Sequence, residues 1–153
     1  AGQDLRDAMR ATNSLALHVR RGDYVSSLET AAFHGALPAD FYSRAVQFVR
    51  ERSQDLSCFV FSDDLEWCRT ALRGLGLPLT FVDLNSGADS WQDLYLMAAC
   101  RHSIIANSSF SWWAAWLGDG QEHADRMVVA PQRWFAGADS AVEDRCPSGW
   151  TVL

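Results

Sequence analysis

At 153 residues the chain has the size of one domain, long enough to bury roughly two-thirds of its unfolded surface. Hydrophobic residues make up 48%, yet no apolar run approaches the ~18 residues that signal a membrane span, so a transmembrane segment is not expected. A formal net charge of -6 argues against general affinity for nucleic acid, because tracking a phosphate backbone needs an excess of cations.

In chain order, Ser14 to Val19 is an apolar run suited to a buried strand, and it ends in the charged turn Arg20-Arg21-Gly22-Asp23. A Gly- and Ser-containing loop follows, and Pro38 and Asp40 then open a helix with Phe41, Ala45, Val46, Phe48 and Val49 largely on one side. Cys58 to Phe61 reads as a second strand, Ser62-Asp63-Asp64 as the cap of a helix from Leu65 to Arg73, and Gly74 and Gly76 as its close. Leu79 to Val82 is the next strand, Ser90 to Cys100 an amphipathic helix, and Ser103 to Ala106 a further strand. Asn107-Ser108-Ser109 leads into a buried helix from Phe110 to Leu117, ended by Gly118 and Gly120. Met127 to Ala130 supplies the last strand, and the tail after Pro131, with Gly137, Trp134, Pro147, Gly149 and Trp150, reads as irregular.

Strands alternating with helices at these lengths call for a parallel sheet covered by helices on both faces, because right-handed crossovers place the helices there. The expectation is a single Rossmann-like α/β domain over residues 1–153. Cys58, Cys68, Cys100 and Cys146 form no CxxC pair and read as reduced thiols in a reducing compartment. The four histidines lack metal-ligand spacing, so no metal is expected. No charged and apolar leader opens the sequence.

Ligands of an open parallel sheet bind at the carboxyl ends of its strands, where three polar loops fall: His18 to Asp23, Ser62 to Asp64, and Asn107 to Ser111. Adjacent Arg20 and Arg21 suit a diphosphate, since guanidinium groups offer forked donors and keep their charge. Ser108 and Ser109, ahead of a helix, add hydroxyls and helix amino-terminal N–H groups to the same anion. Taken singly, the arginine turn reads more readily as a solvated loop with an internal ion pair. Ser62-Asp63-Asp64 then reads as a helix cap, and the tryptophans of Phe110 to Trp116 as core packing.

Taken together, His18-Val-Arg-Arg-Gly-Asp-Tyr24, Phe33-His34-Gly35, Phe41-Tyr42, Phe59 to Asp64 with Trp67, Asp93 to Met97, Ala106 to Trp116, Ala130-Pro131 and Trp134-Phe135 resemble glycosyltransferase family 11, the α-1,2-fucosyltransferases. The resemblance covers nearly the whole chain from about Ser14. That family's opening Gly-Gly-Leu-Gly-Asn-Gln segment does not occur here. The resemblance therefore implies the donor-binding, carboxyl-terminal lobe of a GT-B-type enzyme, with an amino-terminal acceptor lobe outside this chain.

It further implies transfer of L-fucose from GDP-β-L-fucose to the 2-hydroxyl of a galactose-containing glycan, with inversion and without a metal. Cytoplasmic placement, with or without peripheral association at a membrane, goes with that reading. By resemblance His18 and Asp93 contact guanine, and Ser108 and Ser109 hold phosphate. Arg20 and Arg21 stabilise the leaving diphosphate, while Asp23, Asp63 and Asp64 orient the arginines or bind ribose. Glu29 is the candidate general base, set against a plain surface carboxylate. A GDP-binding module without activity of its own, and a fucosyltransferase of another linkage, are the alternatives.

Overall fold

A computed structural model describes residues 2–85, 87–120, 123–136 and 144–153. Six strands, β1 (Asn13–Val19), β2 (Leu56–Ser62), β3 (Leu79–Phe81), β4 (His102–Ile104), β5 (Val128–Ala130) and β6 (Thr151–Val152), form one sheet in the order β3-β2-β1-β4-β5-β6. Every pairing is parallel. β1 lies at the centre, with Leu15 opposite Cys58 of β2 on one side and His102 of β4 on the other. The strand order reverses between β1 and β4, and the loops leaving these two strands diverge to open a crevice there.

The period-two alternation of β1 assigns its side chains to two cores. Leu15, Leu17 and Val19 pack with Cys58 and Val60 against α4 (Ala39–Arg50) and α5 (Leu65–Ala71). Ala16, Phe59 and Phe61 face the other way, onto α6 (Trp91–Ala98), α7 (Ser109–Asp119) and α1 (Gly2–Ala11). The sheet therefore carries helices on both faces, as expected from the sequence.

Several local expectations change. The Gly- and Ser-containing loop folds into two short helices, α2 (Gly22–Ser26) and α3 (Leu28–Phe33), the second capped by Ser27, whose hydroxyl accepts from Thr30 N–H at 3.4 Å. Neither has apolar periodicity, and α3 buries no residue, so a hydrophobic pattern cannot reveal them. α1 was likewise hidden, because only Leu5 and Met9 turn toward the core. α5 stops at Ala71; Gly74 sits in a 3-10 turn and Gly76 takes the left-handed conformation that ends it.

The helix expected to be buried, α7, is two-sided: Ser111, Ala114, Ala115 and Gly118 are buried, while Trp113, Trp116 and Leu117 are about half exposed. Gly118 lies inside this helix rather than at its end. A Cβ there would stand 2.4 Å from Arg126 Nη2, so the missing side chain is what admits the guanidinium. Arg126 donates to the carbonyls of Cys100, Arg101 and Ala115 and pairs with Asp119, which satisfies a nearly buried charge.

The tail contributes the edge strand β6, and Trp150 is buried with its indole N–H donated to Asp119 Oδ2 at 2.8 Å. Gly137 lies outside the described residues. All four cysteines are free thiols. Burial pushes Cys68 up to about 11 and Cys100 up to about 12. Among the described residues no helix is long and apolar enough to cross a membrane.

Candidate functional site

A cavity of about 1080 Å³ opens at the carboxyl edge of the sheet, over the ends of β1, β2, β3 and β4. From β1 it receives His18, which is 6% exposed and leans on Phe110 with ring centroids 5.7 Å apart. Burial pushes this imidazole down to about 4, with the Asp63 charge pulling it back up and Arg20 adding to the depression. His18 is therefore neutral near pH 7, and its buried Nδ1 has no hydrogen-bond partner among the described residues. A buried polar atom at a cavity wall is a position that a ligand can satisfy.

Arg20 and Arg21 part company at the end of β1. Arg20 lines the cavity, its Nη2 donating to Asp23 Oδ1 at 2.8 Å and its Nη1 3.0 Å from Asp63 Oδ2. Arg21 is not among the lining residues. Its Nε donates to Asp64 Oδ2 at 3.3 Å and its guanidinium lies 4.1 Å from the centroid of the Trp67 ring. Between the two pairs, the backbone N–H of Arg21 donates to Asp63 Oδ1 at 2.8 Å. Gly22 makes room for this arrangement, since a Cβ there would lie 2.6 Å from Asp63 Oδ2.

Ser62 and Asp63, at the end of β2, line the cavity as well. The Ser62 hydroxyl accepts from the Asp64 N–H, and Asp64 caps α5 by accepting from the Trp67 N–H at 3.0 Å. Asp64 thus works as helix cap and arginine partner together, away from the cavity wall.

The β4–α7 loop divides in the same way. Ser108, buried, and Ser109, exposed, line the cavity at the amino terminus of α7, and Ser108 makes no side-chain capping bond. The helix amino terminus and both hydroxyls therefore face the space where Arg20 points. Asn107 is buried behind them, its amide donating to the carbonyls of His34, Gly35 and Trp134 at 2.9–3.2 Å. It ties three loops together and does not line the cavity.

Glu29 lines the cavity from α3, beside Thr30, Phe33 and His34. The His34 ring stacks on Tyr24, centroids 4.8 Å apart and planes within 2°, and the Tyr24 hydroxyl donates to the Asn107 carbonyl at 3.0 Å. This stack joins the rim of α2 and α3 to the loop below. Asp93 lines the opposite part of the wall, from the first turn of α6. Burial raises its carboxyl above the usual range, and a hydrogen bond from the Asn85 amide offsets part of that rise.

Sequence reasoning missed Asp83 and Asn85, which line the cavity from the loop after β3. The signal was present: these are polar residues at a strand's carboxyl end, the rule already applied to the other three loops. The wall is more acidic than the paired arginines suggested, with Arg20 set among Asp23, Glu29, Asp63, Asp83 and Asp93. An anionic ligand here needs Arg20 and the α7 amino terminus together.

Comparison with known proteins follows the same lines. The family model described as glycosyl transferase family 11 matches residues 3–153. An alpha-1,2-colitosyltransferase of Escherichia coli is 38% identical over 151 residues, covering 99% of this chain and 51% of that protein. The O-antigen biosynthesis glycosyltransferase WbnK of Escherichia coli is 40% identical over 126 residues, 82% of this chain and 40% of its own length. Galactoside alpha-(1,2)-fucosyltransferase 1 of Saimiri sciureus is 31% identical over 116 residues, 75% of this chain and 31% of its own. The chain thus spans about half or less of the length of these relatives. Among solved structures, fucosyltransferase NodZ from Bradyrhizobium superposes with a TM-score of 0.55 at 21% identity, covering 76% of this chain and 39% of that one. A NodZ alpha-1,6-fucosyltransferase soaked with GDP-fucose gives 0.54 at 20% identity, covering 76% and 40%. At those identities the likeness concerns the fold.

Proposed function

This chain belongs to glycosyltransferase family 11, and on that premise we propose that it is the lobe that holds GDP-fucose in an inverting transferase acting on the 2-hydroxyl of a galactoside. The observation that carries the reading is the convergence of Arg20, the α7 amino terminus with Ser108 and Ser109, His18 and Asp93 on one cavity at the switch point of the sheet. The acceptor enters from the Glu29 side, between this lobe and an amino-terminal lobe.

The chemistry follows from where charge develops. As the bond from the sugar to the diphosphate breaks, the anomeric carbon becomes electron-poor and negative charge collects on the leaving GDP. Donors already fixed at the diphosphate stabilise that state without reorganising. Arg20 is so fixed, because Asp23 and Asp63 hold its two outer nitrogens in place. Arg21 and Asp64 support the turn from behind. Glu29, exposed on the rim, takes the proton of the incoming hydroxyl. Asp93 accepts from the guanine N1–H and exocyclic amine, a pair of donors that adenine does not present side by side. His18, neutral, supplies a further hydrogen bond to the base. Charge compensation rests on Arg20 and the helix amino terminus, so no divalent cation is required.

The test is calorimetric titration of the chain with GDP, GDP-fucose, GDP-mannose and UDP, with and without chelator. Metal-independent binding of GDP and GDP-fucose, with UDP much weaker, is expected. Equal affinity for UDP, or a strict need for Mg²⁺ or Mn²⁺, would sink the reading. A fucosyl-transfer assay on lactose then separates donor binding from catalysis: with the acceptor side unformed, binding persists without efficient transfer. The colitosyltransferase relative favours a second reading, with colitose in place of fucose on the same nucleotide. Competition between the two sugar nucleotides decides between them.

A further inference from the structure

The β3–α6 connection contributes a further polar side chain to the cavity wall. Asn85 lies just beyond β3 and donates from its amide nitrogen to Oδ1 of Asp93. Both side chains line the cavity, and both residues are half-buried. A side-chain amide carries two N–H donors, so after one is given to Asp93 the other remains, beside the carboxylate. Among the described residues neither that second N–H nor the Asn85 carbonyl oxygen has a partner.

Side by side, the pair offers an N–H donor from Asn85 and the two carboxylate oxygens of Asp93. Guanine's pairing edge runs O6, N1–H, N2–H, which is acceptor, donor, donor. The one donor and two acceptors of the pair match this set of one acceptor and two donors. Adenine sets an amine against the Asn85 N–H and a lone pair against the carboxylate, failing twice. Uracil matches the first two positions and places a carbonyl against the carboxylate at the third. Hypoxanthine keeps O6 and N1–H and lacks only the amine. Strands ~4.8 Å apart also set the β3 end roughly 10 Å from the β1 end that carries Arg20, the scale of the span from a nucleobase edge to its diphosphate.

We propose that Asn85 and Asp93 form one composite reader of the guanine edge, in which Asn85 both orients the Asp93 carboxylate and donates to O6. The proposal rests on the assignment of Asp93 to the base made above and adds the residue that completes it. Asn85 also has an electrostatic task, since its N–H favours the ionised carboxylate against the burial that opposes it.

The experiment titrates the chain and its Asn85→Ala, Asn85→Asp and Asp93→Asn variants with GDP, IDP, ADP and UDP, with thermal midpoints recorded alongside. In the parent, affinity falls from GDP to IDP and further to ADP. Asn85→Ala weakens GDP and IDP alike by about tenfold, since both carry O6, and leaves ADP unchanged. Asn85→Asp keeps the shape while setting an acceptor against O6 and a like charge against Asp93, so it costs more GDP affinity than Asn85→Ala. Asp93→Asn collapses the GDP to IDP ratio. If that ratio survives Asp93→Asn, Asp93 does not read the base and the assignment beneath the proposal fails with it. If the ratio collapses but Asn85→Ala weakens GDP, IDP and ADP equally, or not at all, Asn85 merely shapes the loop and the composite reader alone is overturned.

Discussion

Exchanging each arginine of the turn for lysine separates two roles that their adjacency conceals. Arg20 spans two carboxylates from two nitrogens, Asp23 at 2.8 Å and Asp63 at 3.0 Å, with its side chain 36% exposed toward the cavity. A lysine ammonium is a single point and cannot bridge both carboxylates while also donating in a forked geometry to a diphosphate. Losing one charge-assisted hydrogen bond costs about 1.5–3 kcal/mol, so Arg20→Lys raises the Kd for GDP by roughly tenfold to a hundredfold or more. Arg21 instead sits over the Trp67 ring, 4.1 Å from its centroid, and pairs with Asp64 behind the wall. Arg21→Lys gives up a stacked cation worth about 0.5–2 kcal/mol, and that loss falls on stability. Calorimetry reads the first quantity and the urea midpoint the second. An Arg21→Lys protein with the parent's urea midpoint and a GDP affinity as poor as that of Arg20→Lys would show that Arg21 touches the ligand, and the division of roles would be wrong.

Three further outcomes follow from particular contacts. Gly118→Ala forces a methyl group against Arg126 and the Ala98 carbonyl, 3.0 Å away, and lowers stability by about 1–3 kcal/mol in urea denaturation; an unchanged midpoint refutes the packing account. His102 is fully buried, with Nδ1 accepting the Met127 N–H at 3.1 Å and Nε2 beside Asn13 Oδ1 at 3.2 Å, so the neutral ring with its proton on Nε2 is the one that fits. Burial pushes it down to about 4, Arg101, Arg126 and His123 add to the depression, and Asp125 opposes it. The unfolded chain then takes the proton more readily: this contribution to stability is full above about pH 6.5 and is lost as pH falls toward 4, and NMR of the His102 ring should show no titration above pH 5. Glu29→Gln should leave the GDP affinity of this chain intact and, in a protein carrying both lobes, lower the transfer rate by about 10²–10⁴-fold; a rate equal to that of the unsubstituted two-lobed protein removes Glu29 as base.

The sheet was legible because its inner strands declare themselves. Leu15, Leu17 and Val19 serve one core and Ala16 the other, and a strand buried on both faces has to be a nearly continuous apolar run. The elements that escaped notice lack that signature for physical reasons. α3 is held by a Ser27 cap and by contacts of its rim rather than by an apolar face, and α1 spends two side chains on the core. β6 is two residues at a sheet edge, sustained by backbone bonds such as Leu153 N–H to the Ala130 carbonyl, and no side-chain pattern marks it. Trp113 and Trp116 of α7 misled for a related reason, whereas Trp112 packs against Ile105, Ala115 and Trp150 as a core residue. Large apolar residues suggest burial, but the inward face of α7 has to pass close to α6 and Arg126, and only Ser111, Ala114, Ala115 and Gly118 are small enough for it.

At the site, residue type was legible and direction was not. Arg20 and Arg21 are chemically equivalent as sequence, yet past the end of β1 they part, and only Arg20 lines the cavity. Which one is decided elsewhere in the chain: Trp67 and Asp64 on α5 capture Arg21, and Asp23 with Asp63 captures Arg20. The same holds for Asn107, whose polar side chain at a strand end looks like a ligand contact. The carbonyls of His34, Gly35 and Trp134 converge on its amide nitrogen from distant parts of the chain and take up its donors, while its buried Oδ1 has no partner among the described residues. Asn85 is the converse case, a loop asparagine of no local distinction whose meaning comes from lying against Asp93. For Arg21 and Asn107 the deciding contacts join segments far apart in sequence, and for Asn85 the contact reaches eight residues on, into the next helix. A polar residue at a strand's carboxyl end is therefore a candidate until its donors and acceptors are accounted for.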